Sequence, residues 1–543
     1  MVTVPSHTLQ ERLEGLAKLQ AGTLDNPYSI SHRLALANAY RGLGYPDLAA
    51  GDAYKALLLV DECAEEGEFH EEALEAATKD YQERTGSLDE DTDHVVLWAR
   101  SSCLENAYEI LIPCLIQCGS LRSAAGFLKR ASRSFSDKVV LASYQESLDS
   151  KLRLHPNFQD VDLDPISIED YPDKGSVRRE LYPWNRHEPD RFSSEALQFL
   201  NNEMEQVAPK LEVKVAELPI LNEASSQCVD VTYVKQLGIF AKEDISPGEE
   251  ILTEKSLLTG ISRLHDFYCD ACSISLSTTS NDEQPATLSC EECEEVFFCS
   301  QECHDLAQDN YHPSLCGVVT EQKVKPSEVA DVLYTRLLVR AMGLAETQDV
   351  HPLDLKEVRF IWGDYHGLDL TERCKLDSDP FAAVPQTLAF SFEANILRPL
   401  HILEKMDVNI YEQSHRYDTW IFNTLYAKFR GTASGRQGLD GRPEICAVHP
   451  MWCLANHSCD PNVAWEWNGT IRFWAREQLV EYERQVPRQP GLKKGEEIFS
   501  HYCDIRLPVQ ERRVFGKMLS GRTECEKQAH IQLQHDLGRT SLP

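Results

Sequence analysis

The chain has 543 residues, 42% of them hydrophobic and 8% aromatic, which is enough for several folded domains and too apolar for a disordered polymer. Its 87 acidic residues outnumber 54 basic ones, for a net charge of −33, so direct nucleic-acid binding is not expected and a basic protein partner suits the surface. No apolar run of about 18 residues is present, and Met1 to Gln10 lacks the basic patch and apolar stretch of a leader, so no membrane association or export is expected; the 18 cysteines are read as thiols of a reducing compartment, cytoplasmic and/or nuclear.

The first stretch, 1–155, reads as helices. Tyr40, Gly44, Ala49, Ala56 and Leu57 stand at the offsets of a tetratricopeptide helix pair, and the spacing recurs at Gly119, Ala124 and Ala131. Small residues at these places let two helices approach closely, and the glycine closes the turn. Residues 156–205, rich in Asp, Pro and aromatic side chains, read as a linker or docking segment. Strand alternation follows in Val229, Val231 and Tyr233, then Gly238-Ile-Phe-Ala241, then Ile251-Leu-Thr253 after the turn Ser246-Pro-Gly248.

A cysteine cluster occupies 269–316 as Cys269-x2-Cys272, Cys290-x2-Cys293, Cys299-x3-Cys303 and His312-x3-Cys316. Each pair brings two ligands from one tight turn to one tetrahedral ion, and two pairs close a site, so four pairs predict two structural Zn²⁺ ions. All eight positions are filled, leaving no open coordination site, so hydrolytic zinc chemistry is not indicated. Residues 320–440 are again mostly helical, and short strands and turns follow through Asn456-His-Ser-Cys-Asp-Pro-Asn462 and Gly495-Glu-Glu-Ile498 to Tyr502.

The order of the eight ligands resembles a MYND finger, a protein-interaction module in which the ligands interleave. By that resemblance Cys269, Cys272, Cys299 and Cys303 hold one ion, and Cys290, Cys293, His312 and Cys316 the other. The Asn456–Asn462 and Gly495–Tyr502 segments resemble the NHSCxPN and GEEI-x3-Y motifs of the SET domain; Gly238-Ile-Phe-Ala241, Ile245-x2-Gly248 and Glu254-x-Ser-Leu257 resemble its N-terminal half. A MYND finger placed between the halves is the layout of the SET-and-MYND (SMYD) family of protein-lysine methyltransferases.

The resemblance implies an α+β multidomain chain: TPR-like repeats over 1–155, a linker over 156–205, SET halves over 206–262 and 441–505, a MYND finger over 269–316, a helical insert over 320–440, and a degenerate post-SET tail over 506–543. It implies S-adenosylmethionine as methyl donor, a protein lysine as acceptor, and peptide or protein partners for the finger and the repeat groove. Tyr502 is the implied catalytic tyrosine; Asn456 and His457 are expected to line the cofactor pocket, with Gly238, Ile239 and Phe240 beside the methionine part. In the family the NHSC segment is threaded through the C-terminal loop, which would bring two distant motifs to one site.

Two departures stand out. The first strand reads Gln236-Leu-Gly238 where the family has Gly-x-Gly, and the tail reads Thr523-Glu-Cys525-Glu-Lys-Gln528 where the family has CxCxxC. No third zinc is expected, and an inert SET/MYND/TPR scaffold is the alternative to an active enzyme.

Overall fold

The structure is a computed structural model. It describes all residues except 1–8, 87–90, 135–137, 160, 164, 221–231, 263–267, 277–286, 319–328, 364, 366–385, 439–442, 459, 480–488, 502–507 and 509–543. The chain divides into two compact units, 1–184 with 365–424, and 185–364 with 425–543. The mixed α+β content agrees with a multidomain protein.

The first unit is built from packed helices. Ile30–Gly42 and Pro46–Ala64 form a pair joined at Gly44, whose φ of +79° is open to glycine without strain. Ala49, Ala53 and Ala56 are fully buried on the second helix with Tyr40 on the first, so small side chains set the close spacing that the sequence offsets require. Leu104–Cys118 and Leu121–Ala131 repeat the arrangement, with Gly119 as a left-handed cap at φ +84°.

Most of the segment read as a linker or docking segment, 156–184, groups with this unit, and its last part, 185–205, with the second. Gly175–Arg178 forms a strand antiparallel to Gln386–Phe390. A Cβ at Gly175 would lie 1.8 Å from the Cys118 carbonyl oxygen, so only glycine lets the strand pass the helix end. Beyond it, Tyr182 and Trp184 stack at 5.3 Å, and the Arg178 guanidinium lies 3.7 Å over the Tyr45 ring. Aromatic residues scattered among prolines mark this segment as polar on average, yet their burial fixes it in place.

The helical stretch 320–440 is likewise divided, because residues 365–424 group with the first unit. Buried polar contacts hold the returning chain there. Arg33 pairs with Asp52 at 3.2 Å and donates to the Tyr411 carbonyl at 3.0 Å, while Lys55 pairs with Asp418 at 3.1 Å. Losing one partner of such a buried pair costs about 3–5 kcal/mol because a charge is left uncompensated.

The second unit contains the strands. Leu211–Ile220 and Thr232–Ala241 form a ten-residue antiparallel pair. The helix Ser194–Val207 packs on it, and the Asn201 side chain accepts from Val213 N at 2.8 Å and donates to Val213 O at 3.0 Å. A second sheet pairs Glu250–Glu254 with Thr470–Ala475 and that strand with Val463–Asn468. Its middle strand alternates strictly, with Ile471, Phe473 and Ala475 buried. A third sheet orders Thr259–Ile261, Pro443–Ala447 and Ser434–Gln437. Leu237, Ile239, Ile251, Leu252, Ile445, Val463 and Ile498 share the core between them. Among the described residues no helix is long and apolar enough to cross a membrane.

Candidate functional site

Two groups of side chains in the second unit have the chemistry of sites. The first is the cysteine cluster. Its eight residues fall into two sets, Cys269, Cys272, Cys299 and Cys303, and Cys290, Cys293, His312 and Cys316, with ligand atoms within 4.8 Å of one another in each. Sulfur separations are 3.7 Å for Cys272–Cys299, 3.6 Å for Cys299–Cys303 and 3.9 Å for Cys290–Cys316, and His312 Nε2 lies 3.8 Å from Cys293 Sγ. A zinc–sulfur bond of about 2.3 Å gives a tetrahedral sulfur–sulfur edge of about 3.8 Å, so both sets could hold zinc.

The local chain explains the sets. After each Cys-x2-Cys pair the backbone turns through positive φ, +63° at Ser273 and +54° at Glu294, which closes the knuckle around its two thiols. Cys269 N donates to Ile274 O at 2.9 Å, and Leu288–Ser289 pairs with Phe297–Phe298 to present Cys290 and Cys299 from one hairpin. Ser300 caps the helix Gln301–Asn310 that carries Cys303. Crowding divides the protons unevenly: hydrogen bonds from Cys272 and Cys303 push the Cys269 thiol far down, and the same contact with Cys269 pushes Cys272 far up. Four thiolates need a cation to share that space. Burial lowers the His312 pKa, which favours the neutral imidazole a metal requires.

The finger is fastened from one side. Asp270, between two of the ligands, accepts from Tyr311 Oη and from Arg340 Nη2, both at 2.9 Å, and Arg340 lies 3.7 Å over the Tyr311 ring. Arg340 stands on the helix Val329–Thr347, where a side chain at Gly343 would meet Leu315 at 2.5 Å.

The second group joins three segments far apart in sequence. Gly495 N donates to Ala241 O at 2.7 Å, Ala241 N to Glu496 O at 3.0 Å, and Ile498 N to Ile239 O at 2.8 Å, so the Gly495–Ile498 segment pairs with the Gly238–Ala241 strand. Asn456 and His457 then pair in parallel with Phe499 and Ser500. The Asn456 amide donates to Glu497 Oε1 at 2.7 Å and to Leu237 O at 3.1 Å. A Cβ at Gly238 would lie 2.6 Å from Glu497 Oε1 and 3.2 Å from Asn456 Nδ2, so the missing side chain makes room for this pair. Gly238, Ile239, Phe240, Asn456 and His457 thus meet at one place, buried except for the half-buried Phe240. Tyr502 lies outside the described residues, one position after His501, whose carbonyl accepts from Trp465 Nε1 at 3.3 Å. Cys459 and the tail with Cys525 lie outside them as well.

Three residues of this junction enter the sequence reading only as letters inside motifs. Glu497 is the acceptor at its centre. Asn462, 1% exposed, accepts from Phe499 N and donates to Glu497 O, both at 2.7 Å. Glu254 is buried and accepts from Met451 N at 3.0 Å and Trp452 N at 2.8 Å, fixing the turn that leads into Asn456. A period-two pattern flags none of them, because Asn462 and Glu254 bond backbone far along the chain and Glu497 bonds the distant Asn456 side chain.

A further grouping brings ligand atoms of His187, His351 and Asp354 within 4.8 Å of one another. Its two rings stack with centroids 3.7 Å apart and planes 4° from parallel, and His187 Nδ1 is bonded to Asp354 Oδ2 at 2.9 Å. Parallel rings send their in-plane lone pairs along separate lines, so a shared ion would require one ring to turn.

Two predictions follow from these sites. Metal analysis of the full chain should give close to two zinc ions, and a value near three would overturn the reading of the tail. Burial raises Glu254 from 4.5 to about 7, so its folded form holds the proton more tightly than the unfolded chain. Stability from this group is therefore present in acid and lost as pH rises from about 4.5 to about 7, by about 3 kcal/mol at about 1.4 kcal/mol per unit. Urea unfolding of the wild type, measured against Glu254→Gln across that window, should show the difference in slope; parallel curves would show that Glu254 does not titrate there.

No family model matches the chain. It is 29% identical over 119 residues to a protein-lysine N-trimethyltransferase, SMYD5 of Danio rerio, covering 17% of this chain and 28% of that protein. It is 21% identical over 285 residues to a SET and MYND domain-containing protein of Dictyostelium discoideum, covering 47% of this chain and 50% of that protein. The chain spans no more than half the length of these curated relatives. Two four-ligand clusters suited to zinc, in a chain similar over part of its length to SET-and-MYND proteins, together support an SMYD-like family.

Proposed function

We propose that the chain is an S-adenosylmethionine-dependent protein-lysine methyltransferase that acts on a histone or another protein. The observation that carries this reading is the junction of Gly238–Ala241, Asn456–Asn462 and Gly495–Ser500 in one hydrogen-bonded site. The residues there fit a polar ligand: the Ser500 hydroxyl, opposite His457, is buried with no hydrogen-bond partner among the described residues. S-adenosylmethionine supplies a methyl group on a sulfonium, which an amine displaces in line.

The chain's own residues supply alignment and dryness. A lysine amine with pKa near 10.4 costs roughly 4–5 kcal/mol to deprotonate at pH 7, and a dry channel lowers that cost by disfavouring the ammonium. Asn456 and His457 are held on a strand that cannot shift without breaking the Glu497 contact, so they would line the donor pocket in a fixed pose. Tyr502 would orient the amine and the transferring methyl through its hydroxyl. The two zinc sets would be structural, and the finger and the helical unit would serve partner binding. Cytoplasmic and nuclear compartments both suit this role.

One observation favours the alternative of a scaffold with a weak or inert site. Gln236 is half-buried and lies two residues from Gly238 on the same face of its strand, where it would crowd the donor. Transfer of a labelled methyl group to proteins of a cell extract separates the readings. The full chain should label protein, and Tyr502→Phe should lose about a hundredfold of that rate with zinc content unchanged. Equal labelling by the variant would remove Tyr502 from the chemistry, and no labelling by the wild type would favour the scaffold.

A further inference from the structure

The first unit carries a cavity of about 560 Å³ between the helix Pro46–Ala64, the turn that follows it, and the segment after Arg398–Lys405. Asp61, Glu62, Glu68, Glu404 and Asp407 line it, and neither lysine nor arginine does. Glu62 accepts from Phe69 N at 3.0 Å, but Asp61, Glu68, Glu404 and Asp407 form no ion pair and their carboxylates no hydrogen bond among the described residues. Burial and the neighbouring Glu65 push the Asp61 carboxyl above its ordinary range, against the opposing pull of Arg100 and Arg130.

Tyr411 supplies the second, independent feature. It is 2% exposed, yet its hydroxyl has no hydrogen-bond partner among the described residues, and the residue lines the cavity. Its backbone is held by Arg33 and by Asn409 Oδ1, and Phe69 meets its ring edge-on at 5.6 Å, so the hydroxyl is fixed in position. The oxygen itself is not fully enclosed, so its lone pairs are open to the cavity and can accept from a donor that enters. Phe69 and Tyr54 add aromatic walls.

We propose that this cavity is a docking pocket for an arginine side chain of a basic protein segment. The volume suits one or two side chains of an extended chain and excludes a folded domain. A guanidinium offers five donors in a plane, enough for carboxylates and the Tyr411 oxygen together, and its flat faces stack on aromatic rings. The surrounding carboxylates exclude phosphate groups and acidic peptides by like-charge repulsion. The pocket lies wholly within the helical unit, and the proposal holds whether or not the chain transfers methyl groups.

The test uses the full-length chain and a fluorescein-labelled peptide of four arginines spaced by Gly-Ser, followed by anisotropy. Glu404→Gln/Asp407→Asn should weaken binding about tenfold, and Tyr411→Phe, which removes only the oxygen, about fivefold. Asparagine tolerates the left-handed backbone of Asp407, at φ +59°, so the double variant should fold. Glu83→Gln/Glu146→Gln removes two exposed charges elsewhere on the same unit and should change affinity less than about twofold. Equal weakening by this control would reduce the effect to diffuse surface charge and overturn the proposal, as would unchanged binding by Tyr411→Phe and the pocket double variant.

Discussion

The contact on which the second unit depends is the short hydrogen bond from Asn456 to Glu497 across the bare Cα of Gly238. Asn456 and Glu497 are 41 residues apart, and the same amide reaches Leu237 O, 219 residues back. Closing such long loops is less costly than it looks, because each doubling of length adds only about 0.6 kcal/mol. What must be supplied is a rigid template. The Thr232–Ala241 strand provides it, with Leu237 and Ile239 in the core and its edge free to pair with Glu497 and Ile498. The buried Glu254 carboxyl adds the last constraint by holding the turn before Asn456.

The cysteine finger is organised on a different principle. Two clusters of thiols and an imidazole stand beside a few buried apolar side chains, Ala271, Phe298 and Ala307 among them. An ion held by these clusters would contribute to the folding free energy there. The Asp270–Arg340–Tyr311 contact then ties the finger to the helix Val329–Thr347, and both group with the strands of the second unit.

The sequence made some of this legible and hid the rest, for physical reasons. Zinc ligands need fixed spacings, so the eight residues that the structure gathers stand out without any structure. The helix pairs around Gly44 and Gly119 were legible because a left-handed turn and small packing residues leave marks in the text. The roles of Glu497, Asn462 and Glu254 were not, since a carboxylate or amide whose partner lies tens to hundreds of residues away reads like any surface polar residue. The segment around Tyr182 and Trp184 reads as a linker or docking segment because its composition is loop-like, while the structure buries Tyr182 and stacks it on the half-buried Trp184. The helical stretch 320–440 looked like one insert, and the buried Lys55–Asp418 and Arg33–Tyr411 contacts that assign part of it to the first unit join residues more than 350 positions apart.

The central claim is that the Gly238, Asn456 and Glu497 junction builds a pocket for the methyl donor. Calorimetric titration of the full-length chain with S-adenosylhomocysteine, the demethylated donor, tests it most directly. One molecule should bind per chain, and Gly238→Val, whose side chain would fall on Glu497 Oε1, should abolish binding while leaving the zinc content unchanged. Absence of binding to the wild type, or undiminished binding to Gly238→Val, would contradict the account.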